Sequence, residues 1–367
     1  MKRLAAICVI MLAAVVFSGC EAGNVQRRIV VHAIGIDPYG DGYEVSYQVF
    51  SGGEGGSDGP VDASESTVIT LLTQGRTLFE TEESLRLQTG KEVFLGDVEL
   101  IVISEELKDA DLIEFLRYFS KSDVYLGVNV VYCRGSAQET IGTKLDQGRA
   151  TSILLRGVVE EAIEQGRACS ARIIEIYNAI EEDGATISVP ILSVEKSGET
   201  GEDVTVSDTM IGVFNCLLVS PEGALREIDE DVSMGICLLK CDIKEMSLEV
   251  DIDGKIASLS IKNIDVKRKL RIKGGYPLIS VSITGIYDLE YEPLGVSEQE
   301  IVEAAQGQIL ALCGHAYDVF QETGADFLKI EKMLLKYEPK YAEAHSSDLK
   351  NVVLGSKYEV SARLRKY

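Results

Sequence analysis

Residues 247–287 read SLEVDIDGKIASLSIKNIDVKRKLRIKGGYPLISVSITGIY. Within this stretch 247–252, 257–264 and 279–287 alternate apolar and polar side chains, the pattern of half-buried strands, and Asp253-Gly254 is a hairpin turn pair. No helical segment interrupts them. Two further alternating segments, 212–219 and 235–243, come before it, so the second half of the chain is predicted to carry a mainly antiparallel sheet. Long helices follow. Ser297 with Glu300 forms a capping box, and Ile301, Ala305, Ile309, Leu312, Ala316 and Phe320 make the buried stripe of a helix closed by Gly324. Asp326 is placed to cap a further helix through Leu335, which ends before Pro339.

The same stretch holds a local anomaly of charge. Residues 266–273 (VKRKLRIK) carry five cations and no acid in a chain whose formal charge is −23. On a strand, Lys267, Lys269, Arg271 and Lys273 project from one face. Two readings of that strip stand: an edge strand guarded against aggregation by its lysines, or a docking strip for anionic headgroups or an acidic partner.

The first half alternates helices with strands. Segments 29–37 and 43–50 read as strands joined by the turn PYGDG at 38–42. Residues 51–60 (SGGEGGSDGP) are rich in glycine but lack the Lys and the Ser or Thr of a phosphate loop, so they read as a flexible loop. Val68, Leu71, Leu72, Leu78, Phe79 and Leu85 recur at helical spacing, 98–103 suits a buried strand, 107–119 is amphipathic through Leu112, Ile113, Leu116 and Phe119, and 126–132 alternates as a strand. The order β-β-α-β-α-β describes a layered unit. From 136 to 180 the reading is helical, with Ile173, Ile176, Tyr177 and Ile180 on one face. Val189-Pro190 and KSGETGEDV at 196–204 then interrupt it, placing a boundary near 200. The expected fold is therefore α+β and multi-domain: a layered α/β half over 20–200 and a half over 201–367 with a mainly antiparallel sheet packed by long helices.

Composition narrows the function. A length of 367 residues and 46% apolar content suit about two globular domains. The acidic balance excludes nucleic acid as a main ligand, since phosphate binding needs a basic surface. Trp is absent and only three His occur, and the chain has no G-x-S-x-G, H-E-x-x-H, phosphate loop or paired C-x-x-C. A secreted hydrolase, which would need such a constellation, is disfavoured. Cys313 and His315 form a C-x-H pair without a companion pair, so no metal site is assigned.

The amino terminus reads as an export signal. Lys2 and Arg3 precede the apolar run LAAICVIMLAAVVF at 4–17, which is too short to span about 30 Å of hydrocarbon comfortably, and Ser18-Gly19-Cys20 closes it with small residues. Residues 1–19 are thus expected to be a lipoprotein signal, with a diacylglycerol on the sulfur of Cys20. Arg27 and Arg28 sit close enough to the anchor to meet anionic headgroups. Beyond Cys20 there are six cysteines, Cys133, Cys169, Cys216, Cys237, Cys241 and Cys313, whose pairing stays open. Cys237 and Cys241 fall in an expected strand, where about 13 Å would separate them, too far for a bridge.

These residues together resemble the Ger(x)C lipoproteins, the C subunits of nutrient germinant receptors in spore-forming bacteria. The resemblance rests on Cys20 with an Arg nearby, Ile34-Gly35-Ile36-Asp37, Arg76-Thr77-Leu78-Phe79, FLGDVELIVISEEL at 94–107 and VVYCRGSAQETI at 130–141. It continues through Met210-Ile211-Gly212 with the Gly223 turn and through the long helix leading to Gly324-Ala325-Asp326-Phe327. It implies a receptor subunit without catalysis or cofactor beyond the lipid on Cys20, and a three-domain body in which the first half divides again near Lys144. Such a subunit works beside two integral membrane subunits on the outer face of the inner spore membrane; whether it binds the nutrient itself is left open. A solute-binding lipoprotein of an uptake system is the alternative. That fold would repeat β-α-β units in two doubly wound lobes, against which the strands from 212 to 287 argue.

Overall fold

The computed structural model describes residues 28–51, 67–108, 112–143, 151–182, 184–196, 209–240 and 243–366. Cys20, the glycine-rich segment 52–60, the division near 144 and Cys241 lie outside the described residues.

β1 (Arg28–Tyr39) and β2 (Gly42–Ser51) form the expected hairpin, closed by Gly40-Asp41 with Gly40 at φ 55°. β3 (Thr67–Gly75) pairs with β2 along its whole length, so Val68, Leu71 and Leu72 lie on a strand rather than on the helix predicted from their spacing. A run as short as VITLLT satisfies both periodicities, and its branched side chains together with the available strand partner decide the outcome. The helix α1 (Leu78–Thr89) starts only at Thr77, whose hydroxyl accepts from the Glu80 amide, and ends at Gly90 with φ 65°. It buries Leu78 and Leu85 and leaves Phe79 exposed.

Next come β4 (Glu92–Phe94), β5 (Leu100–Ser104), α2 (Leu112–Phe119), β6 (Asn129–Cys133), α3 (Ala137–Gly142), α4 (Thr151–Glu164), α5 (Ile173–Tyr177), β7 (Ile187–Lys196), β8 (Thr209–Ser220) and β9 (Gly223–Asp229). With the first three strands they build one nine-stranded sheet in the order β3-β2-β1-β5-β6-β7-β8-β9, β4 lying beside β1. The strands β1, β5, β6 and β7 are parallel, and every residue of β5 and β6 is buried, as strands covered on both faces must be. Val189-Pro190, expected to break the chain, lies inside β7. The contact with β6 begins only at Ile191, so the N–H that Pro190 lacks breaks no ladder bond on that side. The position near 200 falls between β7 and β8, which pair from Ile187↔Val219 to Lys196↔Thr209, so strand pairing joins the two sides of that position.

The segment Ile34-Gly35-Ile36-Asp37 has a structural role. Asp37 Oδ1 accepts from the Ala137 amide at 2.7 Å and Oδ2 from the Gln138 amide at 2.8 Å, so a carboxylate on β1 caps α3. Gly35 permits that approach, since a Cβ there would stand 3.1 Å from the Ala137 carbonyl carbon. Gln48 completes the seam by donating to the Ile141 carbonyl at 2.7 Å and accepting from the Ser152 amide at 3.0 Å.

Residues 235–240, expected as part of a strand with Cys237, belong to the helix α6 (Glu230–Lys240). Asp229 Oδ1 accepts from the Val232 amide at 3.0 Å at its start, and Ser233–Leu239 are all buried, so neither period shows in the sequence. The smaller sheet consists of β10 (Met246–Ile252), β11 (Lys255–Lys273), β12 (Tyr276–Tyr291) and β13 (Lys357–Lys366) in that order. Between β12 and β13 the chain forms α7 (Glu298–Thr323), α8 (Ile330–Tyr337), α9 (Pro339–Ala344) and α10 (Leu349–Leu354). The capping box holds: the Ser297 hydroxyl accepts from the Glu300 amide, the Glu300 carboxylate accepts from the Ser297 amide at 2.8 Å, and Gly324 ends α7 at φ 72°. Asp326 accepts from the amides of Ile330 at 2.8 Å and Glu331 at 3.1 Å, capping α8.

Two apolar clusters result. One packs α1, α2 and α5 on one face of the large sheet through Ile34, Ile101, Leu116 and Phe119. The other starts on the opposite face with Val102, Val131 and Leu218, continues through α6 and α7, and reaches Leu259, Ile261, Val281 and Ile283 of the small sheet.

Candidate functional site

The charge anomaly of 266–273 lies on the small sheet. In β11, Ala257, Leu259 and Ile261 are buried, whereas beyond the middle of the strand the inward residues are Val266, Arg268, Leu270 and Ile272. The odd-numbered positions point inward before 262 and outward after 265. A bulge causes the change: Lys262 faces Ile286 and Asp265 faces Thr284, so β11 spends one residue more than β12, and Asn263 takes φ 51°. Without the extra residue, Lys267, Lys269, Arg271 and Lys273 would face the core.

All four are exposed on one face, as the sequence reading expects. β10 pairs with β11 only up to Ile261, so residues 265–273 also form an edge, and the first reading of the strip holds for the backbone. What the sequence reading misses is β13. Its parallel register with β12 places Lys357, Arg363 and Arg365 on the same outer face. The cross-strand rows are Lys262–Ile286–Arg365, Asp265–Thr284–Arg363, Lys267–Ser282–Ser361, Lys269–Ser280–Glu359, Arg271–Leu278–Lys357 and Lys273–Tyr276. Eight cations therefore meet two acids on this end of the face. The alternation of KYEVSARLRK was available as a strand signal, but its pairing with β12 was not.

Neutralisation inside the face is partial. Lys267 lies 3.0 Å from Asp265, and Glu359 is shared by Arg271 at 3.5 Å and Lys273 at 3.6 Å. Lys357 sits over the Tyr276 ring at 5.4 Å. Among the described residues, Lys269, Arg363 and Arg365 have no ion-pair partner. Between the two cation rows runs a groove of about 460 Å³ floored by Ser280, Val281 and Ser282 and walled by Lys267, Lys269 and Arg271 on one side and Glu359, Val360 and Ser361 on the other. Such a surface can bind anions.

Cys133, Cys169, Cys216, Cys237 and Cys313 are buried. Burial pushes the thiols of Cys133, Cys216 and Cys313 up to about 12, and contact with Cys169, Sγ to Sγ 2.9 Å, together with burial raises that of Cys237. A thiol must ionise to attack, and these stay protonated. Cys313 faces the core of α7 while His315 is exposed, so the C-x-H pair does not converge. No group of three or more possible metal ligands occurs among the described residues. A second cleft, of about 330 Å³, is lined by Ser170, Glu175, Asn178, Lys240, Arg268 and Lys329. Arg268 donates there to the Leu328 carbonyl at 3.4 Å.

Residues 22–194 match the model of the spore germination protein N-terminal domain. The fold is similar to the crystal structure of the GerBC protein, with a TM-score of 0.56 at 13% identity over 91% of this chain and 96% of that one. No curated protein matches. The match over 22–194 takes in the hairpin, the Asp37 cap and the parallel strands, and the shared fold extends through the smaller sheet and its helices. The chain thus carries a spore germination protein N-terminal domain over 22–194 within a fold similar to that of the GerBC protein, in agreement with the Ger(x)C resemblance of its sequence.

Proposed function

We propose that this chain is the lipid-anchored accessory subunit of a spore nutrient germinant receptor, acting beside two integral membrane subunits and carrying out no catalysis itself. The observation that carries this reading is the germination domain matched over 22–194. The anchor is Cys20, after the cationic start, the apolar run at 4–17 and Ser18-Gly19. No helix among the described residues is long and apolar enough to cross a membrane. Two acyl chains, at about 0.8 kcal/mol for each buried methylene, suffice for stable anchoring. A tether of a few residues then keeps the body at an effective concentration in the millimolar range near its partners, so even a weak interface is occupied.

The test is affinity capture of the tagged chain from gently solubilised membranes. The wild type is expected to retain two integral membrane proteins and to carry a diacylglycerol on Cys20, and Cys20→Ala is expected to move to the soluble fraction. Capture of the chain alone, or an unmodified Cys20 in the membrane-bound protein, contradicts the reading.

A further inference from the structure

We propose that the bulge-side end of the small sheet's outer face is a docking surface for an anionic phospholipid bilayer, with headgroup phosphates lying between the cation rows of β11 and β13. The proposal deepens the membrane-bound reading above by naming the surface that meets the lipid.

Charge is the first argument. The chain is strongly acidic, with a formal charge of −23, yet this end of the face sets eight cations against Asp265 and Glu359. The opposite end of the same face carries Glu249, Asp251 and Asp288. The two signs are therefore segregated along one sheet, with the bulge at Asn263 near the division. Protection of strand edges does not require this arrangement, because the edge strand β10 is guarded by acids.

Shape and chemistry choose the occupant. The cations stand on two strands separated by β12, about 10 Å apart, and run roughly 27 Å along them. A two-dimensional array of this kind matches a plane of headgroups better than a single acidic segment, which would meet one row. The groove between the rows offers the hydroxyls of Ser280 and Ser282 on its floor and of Ser361 on its wall, donors suited to phosphate oxygens. Protein interfaces enrich aromatic and other apolar anchors at their centres and deplete lysine, the reverse of what lies here. At the tip beside Gly274-Gly275, Tyr276 is 54% exposed between Lys273 and Lys357, the pairing of tyrosine with cations found at headgroup depth. Repulsion of the acidic remainder would favour approach by this end.

The test uses the full chain, as wild type and with Lys269→Glu, Arg363→Glu and Arg365→Glu together. These three side chains have no ion-pair partner among the described residues, so the fold loses little by their reversal. Both proteins are mixed with vesicles of phosphatidylcholine, alone or with about 30% phosphatidylglycerol, and the ratio of anionic to neutral binding is read. Attachment through residues 1–27 is common to both proteins and cancels between them. One basic group near an anionic surface is worth about fivefold in partitioning. The wild-type ratio should therefore exceed that of the variant at least about tenfold, and should fall towards the variant's in about 0.5 M salt, where the screening length is below about 5 Å. This difference does not depend on a lipid at Cys20, so failure of the anchor leaves it intact. Equal ratios for two folded proteins would mean that the cations only guard the edges and would overturn the proposal. So would a wild type that binds polyglutamate but does not distinguish the vesicles, since that result points to an acidic protein partner. If the triple variant fails to fold, Lys269→Gln with Arg363→Gln and the salt dependence of the wild type give the same decision.

Discussion

Deleting Asn263 is expected to abolish cooperative folding of the C-terminal half. The bulge at this residue changes which face of β11 looks inward, so that Ala257, Leu259 and Ile261 on one side of it and Val266, Leu270 and Ile272 on the other all reach the same core. Removing one residue leaves two outcomes. Either the far segment turns Lys267, Lys269, Arg271 and Lys273 into the core, or the near segment turns its three buried apolar residues to solvent. Burying an unpaired charge costs several kcal/mol even after relaxation, so four of them exceed a stability of about 5–15 kcal/mol. Loss of the apolar contacts is less severe but still costs about 2–5 kcal/mol for each large residue. Asn263→Gly keeps a residue at home with φ 51° and should stay within about 1 kcal/mol of the wild type. Urea unfolding followed by circular dichroism separates the two variants, and a deletion variant that unfolds like the wild type would refute the bulge's role.

The second large effect is expected at the crossing of α6 and α7. Gly235 lies against the α7 backbone: a Cβ added there would stand 2.0 Å from the Leu312 carbonyl oxygen and 2.9 Å from Ala316 Cβ. In an exposed helix, Gly→Ala gains up to about 1 kcal/mol. Here the sign is expected to reverse. Pushing a packed backbone aside costs about 1–3 kcal/mol for small overpacking, so Gly235→Ala should lose about 2 kcal/mol net and Gly235→Leu should not fold stably. A Gly235→Ala variant with a higher urea midpoint than the wild type would show that the helices have room to move apart.

These two positions also mark where reading the sequence stops. Gly235 lies in MGICLL, an apolar run buried all round, and such a run has no period by which a helix differs from a strand; the signal that was available is Asp229, the residue that caps α6. The short run at 68–72 failed for a related reason, because a strand partner, absent from any local window, decided it. By contrast α7 was legible from end to end. Ser297, Glu300 and Gly324 terminate it through local hydrogen bonds, and its stripe from Ile301 to Phe320 needs only the helical period.

The candidate site divides in the same way. That Lys267, Lys269, Arg271 and Lys273 share a face follows from alternation alone. Which face it is depends on the bulge at Asn263. That Lys357, Arg363 and Arg365 join them depends on a parallel pairing between strands separated by four helices. The segment Ile34-Gly35-Ile36-Asp37 could be recognised as characteristic without its purpose being visible, since the helix that Asp37 caps lies about a hundred residues further along the chain. Its role is to hold α3 on β1, which makes it a packing feature.

The measurement that bears most directly on the account is nutrient-triggered germination of spores from which this chain has been removed, in a strain whose other nutrient receptors are absent. A receptor subunit predicts that dipicolinate release in response to nutrient is lost and that it returns with the wild-type chain. Release at an unchanged rate without the chain would contradict the account.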